Sequence, residues 1–140
     1  MIRETISPAT DYNKNPEREW NRLEKDAYHR IEYEVVTHYL QKYLPKSGRL
    51  LDAGGGPGRY AFELARQGYD VTLLDLSDGC IRMAKHKLRT EFHSLKGSVC
   101  DLLVGNVRDL MAFIETSNQP SVVDFAEHIL YVGSVRETFT

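Results

Sequence analysis

An α/β architecture is predicted, with a doubly wound, mostly parallel sheet that follows two amino-terminal helices. Short hydrophobic runs at residues 49–53, 70–74 and 101–105 have the length and composition of buried strands. Segments with helical spacing of apolar residues separate these runs, and a glycine-rich turn follows the first of them. Strands and helices that alternate in this order give parallel strands joined by right-handed crossovers.

The predicted helices come first along the chain. From residue 17, Trp20, Leu23 and Ala27 share one face at helical spacing. A second apolar stripe, at residues 31, 35, 36, 39, 40 and 43, ends at Leu44-Pro45. We expect residues 1–16 to be a flexible N-terminus, because they are polar and contain two prolines. The rest, 17–140, is expected to be a single domain, with a helical arm at 17–47 and a core at 48–140.

The helices between the strands have identifiable ends. The helix after strand one is predicted at about residues 59–67, where Gly68 provides the carboxyl-terminal stop. It buries Ala61, Leu64 and Ala65. Ser77 has the position of an N-cap for the helix after strand two, with an acidic residue in its first turn.

The composition excludes several classes of function. The net charge of −2 includes no basic excess, so no nucleic-acid partner is expected. We expect no membrane association, because no apolar run reaches the length of a membrane span and the first residues are too polar for a secretory signal. Cys80 and Cys100 have no paired-ligand spacing and indicate reduced thiols of a cytoplasmic protein. The five histidines form no metal-ligand cluster, so no metal is expected.

The glycine turn predicts a binding crevice. Residues 50–58 read Leu-Leu-Asp-Ala-Gly-Gly-Gly-Pro-Gly, and Asp75 ends the next predicted strand. Gly54, Gly56 and Gly58 can take positive φ and have no Cβ, so a ligand can lie directly on the main chain. The helix that follows presents unpaired N–H groups there, and the Asp75 carboxylate can accept both hydroxyls of a ribose.

The glycine spacing argues against a dinucleotide. The pattern G-x-G-x-x-G would place its third glycine at Arg59, and a register that starts at Gly55 fails at Pro57. An NAD-dependent reductase is therefore only a weak alternative.

The run Asp-Ala-Gly-Gly-Gly-Pro-Gly-Arg-Tyr at 52–60, followed by Asp75, resembles the first two motifs of class I S-adenosylmethionine-dependent methyltransferases. The resemblance implies a Rossmann-like methyltransferase fold with S-adenosylmethionine as the cofactor. It implies that the cofactor lies over Gly54, Gly55, Gly56 and Gly58. Asp75 would then hold the ribose hydroxyls, and Leu76 would flank the adenine. We expect Asp52 to orient the loop through backbone N–H groups.

A third matching segment is Val-Gly-Asn-Val-Arg-Asp-Leu at 104–110. The family usually has an acidic residue where this chain has Asn106. By resemblance, the Asn106 side-chain oxygen would accept from the adenine amino group, and the N–H of Val107 would meet a ring nitrogen. A turn that starts a helix at Arg108 is an equally good interpretation of the same residues.

The helical arm also resembles the small-molecule members of the family, in which such an arm folds over the cofactor. Residues 18–23 and 28–33 correspond to it. We expect Trp20 to pack the arm onto the sheet. For Tyr28 and Tyr33, packing and closure of the pocket are both open.

Beyond Leu110 the resemblance fades. The family has seven strands, whereas only thirty residues remain here, with short apolar runs at 122–125 and 129–132. The chain therefore resembles a truncated, cofactor-binding half: a shortened piece, a divergent short protein, or the product of a shifted reading frame near residue 111. Asp124 is more simply a solvated or capping carboxylate than a fourth motif. A homodimer or other oligomer is expected to cover an exposed sheet edge, unless residues 111–140 cover it.

The predicted function is methyl transfer to a small-molecule acceptor. The alternative is a non-catalytic or inactive S-adenosylmethionine-binding module. No catalytic residue is assigned, because no histidine has a matched partner and the acceptor side is the missing part.

Overall fold

The computed structural model describes residues 12–106, 120–125 and 128–133. Within them the helices are α1 (Pro16–Asn21), α2 (Ala27–Tyr43), α3 (Arg59–Arg66) and α4 (Asp78–Thr90), and residues 12–14 are also helical. The strands are β1 (Arg49–Ala53), β2 (Asp70–Asp75), β3 (Val99–Val104), β4 (Pro120–Phe125) and β5 (His128–Gly133). The first strand predicted from the sequence is confirmed with the same bounds, and the other two are confirmed with shifts of one or two residues at their ends.

The described strands form one sheet in the order β3-β2-β1-β5-β4. β1 pairs with β2 and β2 pairs with β3 in parallel, as the alternation of strands and helices predicts. Parallel pairing brings the carboxyl ends of these three strands to one edge of the sheet. The fold is Rossmann-like and α/β, and the glycine turn and Asp75 lie at that edge.

β1 is not an edge strand. β5 pairs with it antiparallel along its whole length, with Leu51 opposite Tyr131, and β4 pairs antiparallel with β5. The sequence left open whether this strand edge is covered by a partner chain or by residues 111–140. The two apolar runs after residue 120 cover it within the chain. The edge strands among the described strands are β3, which pairs only with β2, and β4, which pairs only with β5.

The core lies between the helices and the sheet. α3 buries the predicted side chains, and Phe62 joins them against Leu73 and Val71 of β2. α3 ends as predicted, because Gly68 takes a φ of 99° and its N–H donates to the Ala65 carbonyl. Ser77 caps α4, its hydroxyl accepting from the Cys80 N–H at 3.1 Å.

The helical arm is interrupted where the sequence predicts one continuous period. α1 ends at Asn21, a 3-10 turn covers Arg22–Glu24, and α2 starts only after Asp26. The Asp26 side chain accepts from the His29 N–H at 3.0 Å, which makes it the N-cap of a new helix. Trp20 before this break and Leu23 within it are both buried.

The apolar stripe predicted on α2 divides between core and solvent. Leu40 is buried, and Val36 packs against the core. The other members of the stripe are exposed, namely Ile31, Val35, Tyr39 and Tyr43. Helical periodicity identified the helix correctly, but only one flank of its apolar residues contacts the core.

Candidate functional site

The glycine turn has the backbone geometry that its sequence predicts. Gly54, Gly56 and Gly58 have φ values of 75°, 56° and 96°, in the left-handed region that favours glycine. The Gly54 N–H donates to the Leu74 carbonyl at 2.7 Å, so the turn is fixed to the end of β2. The Gly58 N–H closes the turn on the Gly55 carbonyl at 3.1 Å, directly before α3 begins.

Asp75 connects the loops at the end of the parallel strands. Its Oδ2 accepts from the Gly56 N–H at 2.8 Å, and its Oδ1 accepts from the Ser77 N–H at 2.7 Å. Its main-chain carbonyl accepts from the Gly105 N–H at 3.0 Å. The carboxylate is thereby held in one orientation. A carboxylate offers about four lone-pair positions, so these two bonds leave capacity for two further donors such as ribose hydroxyls.

Gly55 serves a different purpose from its neighbours. It has no positive φ, but a Cβ at this position would lie 2.5 Å from the Asp52 Cγ and would overlap Leu73. Both of those side chains are almost completely buried. Glycine at 55 therefore allows the turn to lie directly on β1 and β2. Asp52 is placed under the turn, where the sequence suggested an orienting role.

Apolar side chains lie beside Asp75 at the same edge. Leu76 follows it with an exposed fraction of 55%, and Val104, which is opposite Asp75 in the β2–β3 register, is 52% exposed. Asn106 lies two residues beyond Val104 and is exposed. Val107, the remaining predicted cofactor contact, and the helix start at Arg108 lie outside the described residues. Asp124 lies in β4, and its side chain is outside the description.

The arm lies against the glycine turn through Glu19. The Glu19 Cγ would lie 3.4 Å from a Cβ on Gly56, and the Glu19 carboxylate pairs with the Arg22 Nε at 2.9 Å. Arg22 also binds Glu32 at 3.0 Å. Burial alone would lower the pKa of Arg22, but the hydrogen bonds that it donates to these two carboxylates outweigh burial and raise the pKa. A small cleft is enclosed between the arm and the turn, lined by Glu19, Arg22, Leu23, Gly55, Pro57, Arg59 and Tyr60.

Arg59, the first residue of α3, contacts three residues of the arm. Its guanidinium bonds to the Glu24 carboxylate at 2.9 Å and lies over the rings of Trp20 and Tyr33, at 5.0 and 5.7 Å from their centroids. The Lys87 Nζ of α4 also lies over the Trp20 ring, 4.3 Å from its centroid. Trp20 therefore packs the arm onto the core, as predicted.

The two tyrosines left open by the sequence have different positions. Tyr33 stacks on Tyr60 with ring centroids 5.4 Å apart, whereas Tyr28 is 75% exposed and contacts His29 edge-on. Burial raises the pKa of the Tyr33 and Tyr60 hydroxyls, so neither phenol is a base near neutral pH. In the described part of the chain no group of three or more His, Cys, Asp or Glu side chains could hold a metal ion.

Sequence reasoning missed two residues at this site, Asn13 and Glu19. The Asn13 side chain accepts from the Ser77 hydroxyl and from the Gly79 N–H, so the segment before α1 contacts the turn after β2. One signal for it was present: Gly79 lies in the first turn of a helix, where glycine is unfavourable without a packing reason. No local signal marks Glu19, because it reaches the turn only through the fold.

Cys80 is buried at the start of α4, and burial raises the pKa of its thiol.

None of the helices in the described ranges is long and apolar enough to cross a membrane.

Comparison with known proteins gives a consistent result. A family model described as a methyltransferase domain matches residues 24–134. A Bacillus subtilis protein provisionally named a methyltransferase is 36% identical over 56 residues, which are 40% of this chain and 23% of that protein. The ubiquinone biosynthesis O-methyltransferase of Xylella fastidiosa is 37% identical over 80 residues, 56% of this chain and 30% of that enzyme.

A third relative has a different acceptor in its name. The tRNA 5-carboxymethoxyuridine methyltransferase of Escherichia coli K12 is 31% identical over 99 residues, which are 71% of this chain and 31% of that enzyme. The chain thus spans less than a third of the length of each of these three relatives.

Proposed function

The chain belongs to the class I S-adenosylmethionine-dependent methyltransferase family, and on that premise we propose that it binds S-adenosylmethionine and transfers its methyl group to a small-molecule acceptor. The observation that carries this proposal is the Asp75 carboxylate. It is fixed by the N–H groups of Gly56 and Ser77 and lies beside Gly54, the exposed glycine of the turn, and exposed apolar side chains. A nucleoside needs this combination: a rigid acceptor for its sugar and an apolar surface for its base.

The residues present fit the cofactor in the following way. Asp75 would accept the ribose hydroxyls, and Leu76 would contact the adenine. Asn106 would accept from the adenine amino group, with the N–H of Val107 as the second adenine contact. The exposed main chain at Gly54 and the turn through Gly55, Gly56 and Gly58 would support the remainder. When bound, S-adenosylmethionine supplies the activated methyl group, and the protein's part is to hold the nucleoside and exclude water.

We propose a small molecule rather than a nucleic acid as the acceptor. The net charge of −2 offers no basic excess to neutralise phosphates. The relatives named for ubiquinone biosynthesis and for tRNA show that both acceptor classes occur among similar proteins. No residue of this chain is proposed as a catalytic base, because such a base is needed only for an acceptor that must lose a proton.

The cofactor proposal is tested by calorimetric titration with S-adenosylhomocysteine and, separately, with NAD. We expect binding of S-adenosylhomocysteine only. The variant Asp75→Ala should weaken that binding by about 1–3 kcal/mol, because the sugar hydroxyls lose their partner. Asp70→Ala is the matched control, since Asp70 is exposed at the other end of the same strand. Binding of NAD alone, or equal affinity in both variants, would contradict the proposed site.

Catalysis is tested separately with methyl-labelled S-adenosylmethionine and an extract of the source cells. Transfer of label to a small molecule supports the proposal. Good binding without any transfer would favour a non-catalytic binding module, and transfer to RNA would contradict the small-molecule acceptor.

We further propose that the chain works in the cytoplasm as an oligomer. The buried, reduced Cys80 is consistent with a reducing compartment. β5 covers β1 within the chain, whereas β4 pairs only with β5 among the described strands. A strand with one unpaired side is a template for a second copy.

A further inference from the structure

Asn13 joins the segment before α1 to the turn between β2 and α4. Its side-chain oxygen accepts from the Ser77 hydroxyl at 2.7 Å and from the Gly79 N–H at 2.8 Å. The first amides of a helix have no partner inside the helix, so Asn13 supplies an external partner to α4. Ser77 caps the Cys80 N–H of the same turn, and the two residues together fix the start of α4. We call the contacts of Asn13 with Ser77 and Gly79 the Asn13 latch.

The position of Gly79 supports this contact independently of the hydrogen bonds. A Cβ on Gly79 would lie 2.8 Å from both the Cα and the carbonyl oxygen of Asn13. Real Cβ atoms do not approach backbone so closely, so the Asn13 main chain rests where a side chain at 79 would be. Glycine is a weaker helix former than alanine, by about 1 kcal/mol in a helix interior, and the close approach of Asn13 explains why glycine stands in the first turn of α4.

The Asn13 latch is connected to the proposed nucleoside site through the hydrogen bonds of Ser77. Ser77, which donates through its hydroxyl to Asn13, donates through its N–H to the Asp75 carboxylate. The other oxygen of that carboxylate binds the Gly56 N–H, and Glu19 lies against Gly56. The segment from Asn13 to Glu19 therefore contacts the two loops that hold Asp75 from both sides.

We propose that Asn13 is a positioning residue, whose latch holds this segment across the crevice and couples its docking to nucleoside binding at Asp75. This inference rests on the proposed function. In this proposal the latched state is the one that binds the nucleoside. When only a fraction of the molecules is latched, the apparent dissociation constant for the nucleoside therefore rises by the reciprocal of that fraction. Because coupling is reciprocal, a bound nucleoside must in turn favour the latched state.

Three variants separate the latch from general effects on the arm. Asn13→Ala removes both hydrogen bonds. Gly79→Ala removes the space for Asn13 while favouring the α4 helix, so a loss of affinity there does not come from a weakened helix. Asn21→Ala is the matched control, because Asn21 ends the nearby helix α1, is exposed and bonds only weakly to Glu17 at 3.5 Å.

The first measurement is the affinity for S-adenosylhomocysteine by calorimetry. We expect Asn13→Ala and Gly79→Ala each to weaken binding about three- to tenfold, the range for hydrogen bonds of ordinary strength. The double variant should be no weaker than the single variants, because both act on one contact. Asn21→Ala should bind like the wild type. Affinity in Asn13→Ala equal to that of the wild type would overturn the coupling.

The second measurement is hydrogen exchange of the Gly79 amide by NMR. We expect faster exchange in Asn13→Ala than in the wild type or Asn21→Ala, and slower exchange when the wild type binds S-adenosylhomocysteine. Binding that leaves the exchange of Gly79 unchanged would overturn the coupling and leave the proposed function intact. If the wild type does not bind S-adenosylhomocysteine, the proposed function fails, and the coupling fails with it.

Discussion

Replacing Gly55 with alanine should destabilise the protein through collision rather than through backbone strain. The added Cβ would lie 2.5 Å from the Asp52 Cγ, whereas carbon atoms in contact lie about 3.5–4.0 Å apart. One of the two groups must therefore move by about 1 Å. Neither Asp52 nor Leu73 can move into solvent, since their exposed fractions are 2% and 0%.

The expected loss follows from that displacement. Overpacking of a filled core costs about 1–3 kcal/mol. Alanine also lowers the conformational entropy of the unfolded chain relative to glycine, which offsets about 0.4–1 kcal/mol of this cost. We expect a net loss of about 1–2 kcal/mol in the free energy of unfolding, measured by urea titration followed by circular dichroism. Affinity for S-adenosylhomocysteine should also fall, because the turn can no longer lie on the sheet.

Gly97→Ala is the matched control for this experiment. Gly97 has no positive φ, and a Cβ there would meet nothing within 4 Å. We expect this variant to be as stable as the wild type or slightly more stable. Equal stability of the Gly55 and Gly97 variants would refute the reasoning, since it would mean that the turn does not press on β1 and β2.

Three further predictions concern the arm and the sheet edge. Trp20→Ala should lower the free energy of unfolding by about 3–5 kcal/mol in a urea titration, because the ring is buried against the stacked rings of Phe62 and Phe92; a loss below about 1 kcal/mol would show that the arm is not part of the core. Asp26→Ala should lower the melting temperature at pH 7. The His29 N–H and then its side chain lower the pKa of Asp26 below 3.8, so this difference should persist above that pH and vanish as the pH falls through the lowered pKa; a difference that grows in acid would contradict the cap. Sedimentation in dilute solution should give more than one chain per particle, and a clean monomer would contradict pairing through the β4 edge.

Much of the site could be predicted from local sequence. The positive φ values in the glycine turn, the stop at Gly68 and the cap at Ser77 each depend on a few neighbouring residues, and the structure has all of them. The strand that ends in Asp75 could also be predicted from the local sequence, because a buried parallel strand is a continuous apolar run. These features depend on backbone geometry and short-range hydrogen bonding, which the residue types themselves impose.

The tertiary structure alone decided which distant segments meet. Nothing near β1 indicates that residues 128–133 will cover it antiparallel, because pairing of strands so far apart depends on the whole sheet. The exposed stripe of α2 has the same spacing as a buried one, and only packing separates the two. Likewise, Asn13 contacts Ser77 and Glu19 contacts the turn at Gly56, which are far from them in the sequence, so these contacts arise from the docked amino-terminal segment and not from neighbouring residues.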